Sequence, residues 1–324
     1  MSGLRRFFLL ALAALNFPVS SWAADVWPDK PIHFVVGFTA GGPSDLIARD
    51  LGLKLSQLLG QPVVIENRPG AGGNIAAEYV ARSAADGYTW LLGNNSILST
   101  NAALYKKIGF DPVQDFAPVG LVGTQPNILI VNNALPVHSV RELIAHIRSH
   151  PDSMNYASSG SGAAAHLAGE LFKSSAGVSI THIPYKGAIP ALTDVMSGHA
   201  QMMFATSASV MPFIRDGRVR ALAVTSKSRM KELPNVPTMI ESGLSGFEAV
   251  TWHGIVVRAG TPPEIINRIN AQLATALARE DLLERFKNLG VEPAPGTAQS
   301  FADYISSETP KWSKVVRDSG ARVE

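Results

Sequence analysis

The stretch that most constrains this chain covers residues 32–47, in which an apolar, β-branched segment meets a glycine-bearing turn and then a helical pattern. Residues 32–36 predict a buried strand. Ser44 is a suitable N-cap for the following helix, Asp45 places a negative charge in the first turn, and Gly60 marks the expected end. A strand, a glycine turn and a helix in this order are typical of an α/β fold.

The turn at residues 38–43 contains no lysine or arginine and leads into the start of this helix. Such a turn suits an anion, because unpaired N–H donors and the positive end of the helix dipole converge there. Without a cationic side chain, it suits a carboxylate better than a polyphosphate. Gly37, Gly41 and Gly42 lack the spacing of a dinucleotide fingerprint, and the P-loop lysine is missing. A nucleotide site therefore ranks below both a carboxylate site and a purely structural turn.

Residues 1–24 have the features of a secretory signal peptide. Arg5 and Arg6 precede an apolar segment at residues 7–15, and Ser21 and Ala23 supply the small residues of a cleavage site. The apolar segment is too short to cross a bilayer. The sequence therefore predicts an exported, periplasmic protein that is cleaved near Ala23.

Composition argues against several classes of function. The chain has 28 Lys and Arg against 26 Asp and Glu, so removal of Arg5 and Arg6 leaves 26 of each. A neutral mature chain offers no electrostatic attraction to nucleic acid. The absence of cysteine excludes disulfides, thiol catalysis and cysteine-ligated metals. We expect no cofactor, no nucleic-acid partner and a monomer.

Strand-like and helix-like segments alternate along the rest of the chain, as expected for βαβ units with parallel sheets. The predicted strands are residues 63–67, 88–92, 128–131, 154–157, 180–183, 201–204, 219–225 and 247–257. The predicted helices are residues 75–83, 140–150, 163–174, 189–197, a short one near 210, 263–278, 281–289 and 298–318.

Two segments interrupt this alternation, at residues 117–127 and at about 225–246. If both connect the same two lobes, the first domain is discontinuous and comprises residues 25–124 and 245–324, while the second comprises residues 125–244. Two crossover segments make a hinge. The cleft between the lobes is then bounded by the carboxyl ends of strands, which is where α/β folds bind ligands.

A second strand-to-helix loop, at residues 156–162, repeats the serine- and glycine-rich arrangement, with His166 near the first helical turn. Serine and glycine are also ordinary capping residues, so a structural role is a strong alternative. A ligand site is favoured because this loop faces the first one across the inferred cleft, and residues 205–207 have the same context. Tyr185 and Lys186 follow a strand, and we weigh equally a ligand-neutralising and a plain surface role for Lys186.

No coherent catalytic or metal-binding set is visible in the sequence. Ser159 or Ser161 with His166 would make a poor nucleophile–base pair, because they lie close together on one segment and the G-x-S-x-G elbow is missing. His146 and His150 can share a helix face, but no carboxylate completes a zinc pattern. An exported hydrolase is therefore a minor alternative.

A series of short motifs resembles, in its order, the Bug family of exported solute-binding proteins, also called TctC-like. These motifs are WPDKPI at 27–32, GGPSD at 41–45, ENRPGAGGN at 66–74, DGYT at 86–89, NYAS at 155–158, HLA at 166–168, PYKG at 184–187, RALAVT at 220–225, VPT at 236–238 and GTP at 260–262. The resemblance covers nearly the whole mature sequence. It implies an α/β fold with two lobes, the type II-like periplasmic binding-protein fold, and a binding protein instead of an enzyme.

The resemblance also implies where a ligand is held. Family members usually bind one carboxylate on the first strand–helix loop, partly through ordered waters, while loops of the second domain select the distal end. Carried onto this chain, the predicted ligand-binding residues are Phe38, Thr39, Ala40, Gly41, Gly42, Ser44, Asp45, Asn94, Ser96, Ser158, Ser159, Gly160, Ala163, His166, Tyr185, Lys186, Gln201, Ala205 and Thr206.

Two departures from the family pattern bear on the ligand. The family often has Pro-Phe and then Pro or Ala before the paired glycines, whereas residues 37–40 here are Gly-Phe-Thr-Ala. The family frequently has an aspartate where Gln201 stands, so an amino group would lose an acidic partner there if that position approaches the ligand. This second departure disfavours an amino-acid ligand.

The resemblance thus predicts an extracytoplasmic solute-binding protein that captures a small organic acid, with aromatic acids and dicarboxylates included. It would deliver this acid to the membrane permease subunits of a tripartite tricarboxylate transporter. A receptor that acts on a membrane sensor protein needs the same ligand-driven closure, so it is the first alternative.

Overall fold

The computed structural model describes residues 27–150, 153–185 and 187–322. The predicted signal peptide and Lys186 lie outside the described residues. The strands are β1 (Ile32–Val36), β2 (Val63–Asn67), β3 (Thr89–Asn94), β4 (Phe116–Val131), β5 (Asn155–Ser158), β6 (Thr181–Pro184), β7 (Met202–Thr206), β8 (Arg220–Val224), β9 (Val250–Arg258) and β10 (Glu292–Pro293). The helices are α1 (Pro43–Leu59), α2 (Asn74–Ala81), α3 (Asn101–Leu104), α4 (Val140–Ser149), α5 (Ala164–Ala176), α6 (Ala188–Ser197), α7 (Ser207–Arg215), α8 (Pro263–Leu277), α9 (Glu280–Asn288) and α10 (Ala298–Ser319).

Strand β4 is 16 residues long and belongs to both lobes of the molecule. Its first part pairs with β9, and the sheet of the first lobe continues in the order β9, β3, β1, β2. Its last part, residues 127–131, pairs with β7 and β8, and β7 leads on to β5 and β6. Strand β9 is antiparallel to β3, and β4 is antiparallel to β9, β7 and β8. Both sheets are therefore mixed, not wholly parallel as the alternation of elements predicted.

The prediction that residues 117–127 form an interlobe linker without strand structure is wrong in that respect, because these residues continue β4. Their glycines suggested a loop, but Gly120 and Gly123 lie at the two shifts of register between β4 and β9. A Cβ at Gly123 would come within 2.7 Å of the Glu292 carbonyl on β10, and one at Gly120 within 2.9 Å of the Asn270 side chain. These glycines allow β10 and α8 to approach the strand closely.

Three chain segments are tied together where β4 passes from the first lobe to the second. The N–H of Asn127 donates to the Thr225 Oγ1 at 3.0 Å, and the Thr225 N–H donates back to the Asn127 carbonyl at 2.9 Å. The Ala249 carbonyl accepts from the Asn127 side-chain amide and from the Thr225 hydroxyl, each at 2.7 Å. The segments that follow β8 and precede β9 are therefore fixed to one point of β4.

Helix α10 packs against both lobes. Near its start, Phe301 and Ile305 join a buried cluster with residues of β3, β9 and α2. Near its end, Trp312, Val315 and Val316 join a different cluster with residues of β5, β7 and α5. The predicted first domain includes the whole helix, but the last turns of the helix contribute to the core of the second lobe.

Among the described residues, we find no helix with the length and apolar character needed to cross a membrane.

Helix α10 also carries a buried glutamate whose hydrogen bonds are satisfied by polar neighbours. Glu308 is 4% exposed, and its Oε2 accepts from the Trp312 indole at 2.7 Å and from the Trp252 indole at 3.3 Å, while Lys311 pairs with its other oxygen. Trp312 therefore supplies both apolar area and a hydrogen bond to the junction of the lobes.

We expect Trp312→Ala to lower the free energy of unfolding by about 3–5 kcal/mol, the usual cost of truncating a buried tryptophan. The exposed Lys314→Ala on the same helix should stay within about 0.5 kcal/mol of the parent protein. Urea unfolding followed by tryptophan fluorescence and by circular dichroism measures both changes. A Trp312→Ala variant as stable as the Lys314→Ala variant would contradict the role of α10 as a link between lobes.

Candidate functional site

The predicted site loops lie at the edges of the two sheets that face each other. Asn94, at the carboxyl end of β3, pairs with His253 near the start of β9. Thr206, at the carboxyl end of β7, pairs with Asn127, where β4 enters the second lobe. The carboxyl ends of β1 and β3 and those of β5 and β7 therefore point to the lobe boundary from opposite sides. Gly162 of the second loop packs closely against Leu104 of α3, which follows β3. A Cβ on Gly162 would lie only 2.5 Å from the Leu104 side chain, so the two edges are in contact.

The turn after β1 is held by a buried carboxylate. Asp45 is 1% exposed, and its Oδ2 accepts from the Gly41 N–H at 2.8 Å and from Arg49 at 2.9 Å. Its Oδ1 accepts from the Asn67 side-chain amide at 2.9 Å. Burial alone would raise the pKa of this carboxyl, but the hydrogen bonds from Arg49, Gly41 and Asn67 outweigh it and hold the pKa below its usual value. The side chain shapes the turn, so what Asp45 can offer a ligand is its backbone N–H.

Helix α1 begins one residue earlier than predicted, and Ser44 is not its N-cap. Gly42 is the N-cap residue and Pro43 the first helical residue, since proline is pre-set for that position. Gly60 ends the helix in a left-handed conformation, as predicted. The N–H groups of Ser44 and Asp45 belong to the first turn and so have no intrahelical acceptor. They are the main-chain donors that this turn can offer to an anion.

The other residues of this turn contribute mainly backbone. Thr39, Ala40 and Gly41 are exposed, and the Thr39 carbonyl accepts from the Gly42 N–H at 3.2 Å. Phe38 is half-buried against the first-lobe core, and its carbonyl accepts from the Asn67 amide at 3.0 Å. The main chain of residues 39–41 is therefore accessible to solvent, while the hydrogen bond between Phe38 and Asn67 fixes the start of the turn.

Sequence reasoning missed His253, which lies beneath the first turn of α1. Its Nε2 is 3.0 Å from the Ser44 hydroxyl, and the residue is 2% exposed. Burial lowers the pKa of His253 to about 4, so the imidazole is neutral at neutral pH. A histidine within the apolar strand VTWHGIVV was the available signal. Beside it, the Asn94 side chain accepts from the Ile97 N–H at 3.1 Å, and Ser96 begins the single π-helical turn Ser96–Thr100.

In the second loop, the Ser158 hydroxyl is used within the protein. It lies 2.6 Å from His182 Nε2, accepts from the Gly160 N–H at 3.1 Å and contacts the Gly160 carbonyl at 3.0 Å. Ser158 is also 0% exposed, so its side chain shapes the loop and is not presented to a ligand. The Ser159 carbonyl accepts from the Gly187 N–H at 3.2 Å, which ties this loop to the start of α6.

Two stacked imidazoles support the second loop, and sequence reasoning found only one of them. The ring centroids of His166 and His182 are 3.9 Å apart, and Tyr156 stacks on His182 at 4.9 Å. The Nδ1 of His166 accepts from the Gly162 N–H at 2.9 Å, so His166 braces the start of α5 and does not face a serine. Burial lowers the pKa of His166, and burial together with the neighbouring imidazole lowers that of His182 to about 4.

A buried acid lies on the far side of this stack. Glu170 accepts from the Tyr156 hydroxyl at 2.6 Å and pairs with Lys173 at 2.9 Å, while His166 Nε2 is 3.9 Å away. Burial, followed by the contact with Glu170, raises the pKa of Tyr156. The cluster is therefore a packed polar support, in which the carboxylate is already neutralised by Lys173.

The remaining second-lobe candidates differ in what they can contact. Tyr185 donates from its hydroxyl to Asp194 at 2.7 Å, and burial and this carboxylate raise its pKa to about 12. Ala163 and Thr206 are the N-cap residues of α5 and α7, at the facing edge. Ala205 is 0% exposed within an apolar cluster, so its side chain is not available to a ligand.

The structure places Gln201 away from the other predicted site residues. Gln201 precedes β7, and its side chain accepts from the Asn155 N–H at 2.9 Å and donates to the Gly198 carbonyl at 3.3 Å. Asn155 begins β5, so Gln201 lies at the edge of the sheet opposite to Ser158 and Thr206.

Comparison with known proteins identifies the family. The model of the "Tripartite tricarboxylate transporter family receptor" matches residues 47–321. Protein BugT of Bordetella pertussis is 38% identical over 316 residues, which are 97% of this chain and 96% of that protein. The chain belongs to the tripartite tricarboxylate transporter receptor family. The resemblance stated from the sequence motifs is thereby confirmed.

Two solved structures that are similar to this receptor contain bound organic acids. Rpa4515 of R. palustris with adipate has a TM-score of 0.77 at 38% identity and covers 91% of this chain and 98% of its own. MatC (Rpa3494) from Rhodopseudomonas palustris with bound malate has a TM-score of 0.74 at 32% identity and covers 90% of this chain and 100% of its own. The predicted two-lobed α/β fold is confirmed, and the family is one of binding proteins, not of enzymes.

We expect the receptor to lose stability as the pH falls from 6.5 toward 4.5. The folded-state pKa values of His182 and His253, about 4, lie below the ordinary value of 6.5, so the unfolded chain binds more protons in this window. Each histidine contributes at most about 1.4 kcal/mol per pH unit, and His182 less because it is partly exposed. Paired carboxylates such as Asp45 lose their contribution only below about pH 4.

Urea unfolding at pH 7, 6, 5.5 and 5 measures this dependence. The double variant His182→Gln/His253→Gln removes both groups and should flatten the slope. Unfolding free energy that stays constant between pH 6.5 and pH 5 in the parent protein would contradict the neutral, buried state of these imidazoles.

Proposed function

We propose that this receptor is exported to the periplasm, captures a small organic acid between its lobes and delivers it to the membrane permease subunits of a tripartite tricarboxylate transporter. The observation that carries the proposal is the turn at residues 39–45. It offers accessible main chain and first-turn N–H donors at the lobe boundary, and its one acidic side chain is already paired with Arg49. The structures of Rpa4515 with adipate and MatC with malate support an acid as the ligand class.

The hydrogen bonds that this turn can donate are strong enough to bind a carboxylate with micromolar affinity. A hydrogen bond to a charged group contributes about 1.5–3 kcal/mol net, so three or four to one carboxylate give about 5–12 kcal/mol. Lost ligand freedom and ordering of loops offset part of this. A Kd near micromolar corresponds to about −8 kcal/mol and lies within the remaining range.

The proposed ligand contacts come from both lobes. In the first lobe they are main chain of residues 39–42, the N–H and hydroxyl of Ser44, the N–H of Asp45, and residues 94–96. In the second lobe they are main chain at the start of α5, main chain and the Thr206 hydroxyl at the start of α7, and Tyr185. We assign Phe38, Ser158 and His166 to supporting these contacts, since their polar atoms are engaged within the protein.

Closure around the ligand uses the proposed domains, residues 25–124 with 245–324 and residues 125–244. The tie between Asn127, Thr225 and Ala249 lies at their junction, and α10 spans it. A ligand favours the closed state only through contacts that both lobes make with it. The position of the loops after β1 and β5, on opposite sides of the lobe boundary, supports such contacts.

Isothermal calorimetry with acetate, benzoate, malate, adipate and citrate tests the ligand class. At least one acid should bind with a Kd near micromolar, because the turn provides several N–H donors to a carboxylate. The lack of cationic side chains in the turn favours an acid over a polyphosphate. Glucose and spermidine, offered in the same way, should not bind. Binding of the sugar or the cation without binding of any acid would contradict the proposal.

A glycine variant locates the acid. In Gly42→Val the new Cβ lies 3.2 Å from the Thr39 carbonyl, so the side chain fills the turn, while the backbone angles at Gly42 are accessible to valine. Binding should weaken at least tenfold, about 1.4 kcal/mol, with the thermal unfolding midpoint preserved. Ser56→Ala, at the other end of α1, is the matched control and should bind as the parent does. Unchanged affinity of Gly42→Val would remove this turn from the site.

A further inference from the structure

We infer that His253 is a positioning residue: it donates from Nε2 to the Ser44 hydroxyl and thereby leaves the hydroxyl proton of Ser44 for a bound carboxylate. This inference rests on the proposed function, since it concerns the same turn. It assigns a task to a buried polar side chain that the sequence motifs do not include.

The geometry joins two distant parts of the chain. Ser44 is the second residue of α1 and is 8% exposed, while His253 comes from β9 and is 2% exposed. Their side chains meet at 3.0 Å, within a buried environment. The pair therefore links strand β9 to the first turn of α1, which directly follows the exposed turn at residues 39–41.

The partners of the imidazole decide which nitrogen carries the proton. A neutral imidazole has one N–H and one lone pair. The Nδ1 of His253 is buried and has no hydrogen-bond partner among the described residues. A proton on Nδ1 would leave an orphaned N–H, which is rarer and costlier in protein interiors than an unpaired acceptor. The proton therefore resides on Nε2, and the Ser44 oxygen accepts it.

This arrangement makes Ser44 a donor toward the cleft. Its oxygen is occupied by His253, and within the described part of the chain no acceptor takes its hydroxyl proton. The neighbouring Asp45 carboxylate is saturated by Gly41, Arg49 and Asn67, so it does not compete. An anion at the first turn of α1 can then receive the Ser44 hydroxyl together with the adjacent N–H groups.

The second loop provides a contrast within the same molecule. There the Ser158 hydroxyl also meets a histidine, but it bonds both the N–H and the carbonyl of Gly160. No hydrogen-bonding capacity of that hydroxyl is left for a ligand. The Ser44–His253 pair differs because the backbone around it leaves the serine proton free.

Nuclear magnetic resonance of the ligand-free protein labelled with ¹⁵N-histidine tests the tautomer without any ligand. At pH 7 the His253 ring should show a protonated Nε2 and an unprotonated Nδ1, identified by comparison with His253→Gln. A protonated Nδ1 would overturn the inference, whatever the protein binds.

Calorimetry with the tightest-binding acid of the panel tests the consequence. Ser44→Ala and His253→Leu should each weaken binding about tenfold, and Ser44→Ala/His253→Leu should be no weaker than Ser44→Ala, because His253 acts through Ser44. His253→Gln retains an amide N–H donor at the same reach and should recover most of the affinity. Ser56→Ala is again the control, and thermal unfolding reports the stability of each variant.

The outcomes separate this inference from the proposed function. If the parent protein binds no acid, the proposed function and this role both fail. If it binds an acid but the losses of the two single variants multiply in the double variant, or a folded His253→Gln binds as weakly as His253→Leu, His253 serves the fold alone and the inference is overturned. Should His253→Leu fail to fold, the tautomer and the comparison of His253→Gln with Ser44→Ala still decide.

Discussion

The hydrogen bonds among Asn127, Thr225 and Ala249 are the constraint on which the two-lobed arrangement depends. A strand that leaves one sheet and enters another loses partners on both sides at the point of change, and an unpaired buried backbone group costs about 1–3 kcal/mol. Here a side-chain amide and a hydroxyl take over where the ladders diverge. This tie and helix α10 hold the lobes together, and the candidate ligand contacts lie at the same boundary, where Thr206 pairs with Asn127.

The same principle of hydrogen-bond satisfaction sorts the polar residues of the site. Asp45, Ser158 and His166 have partners within the protein, so they stiffen the loops on which they stand. The first-turn N–H groups of α1 and the Ser44 hydroxyl are the donors left over. Because these donors are dipoles and not cations, we expect the proposed site to select an anion of low charge through geometry, with little contribution from long-range attraction.

Local sequence patterns were sufficient for much of the fold. The apolar run and glycine turn predicted β1 and most of α1, and the boundaries of α8 and α10 were close, because helical periodicity and capping residues are local signals. Strand β4 was cut short because Gly120 and Gly123 resemble loop residues until their close neighbours on β10 and α8 are known. The order of the strands and their mixed parallel and antiparallel directions also depend on long-range pairing, which local patterns do not show.

The candidate site shows the same limit. The sequence correctly placed the turn at residues 38–45 and the serine loop at the ends of strands. The family motifs were what indicated that these two loops bind a ligand. His253, in the apolar strand β9, and His182, in the short strand β6, were missed because the serine that each contacts belongs to a different element of the fold. Gln201 was misplaced because a residue before a strand gives no indication of which edge of the sheet faces the other lobe.

A crystal structure of the receptor with the acid that calorimetry identifies would show whether the first turn of α1 holds the ligand. We expect one carboxylate at this turn, with an oxygen about 3 Å from the N–H of Ser44 or Asp45, or linked to it through one ordered water. The second-lobe loop at residues 158–163 should lie on the other side of the acid. An acid bound away from this turn, or bound by one lobe alone, would contradict it.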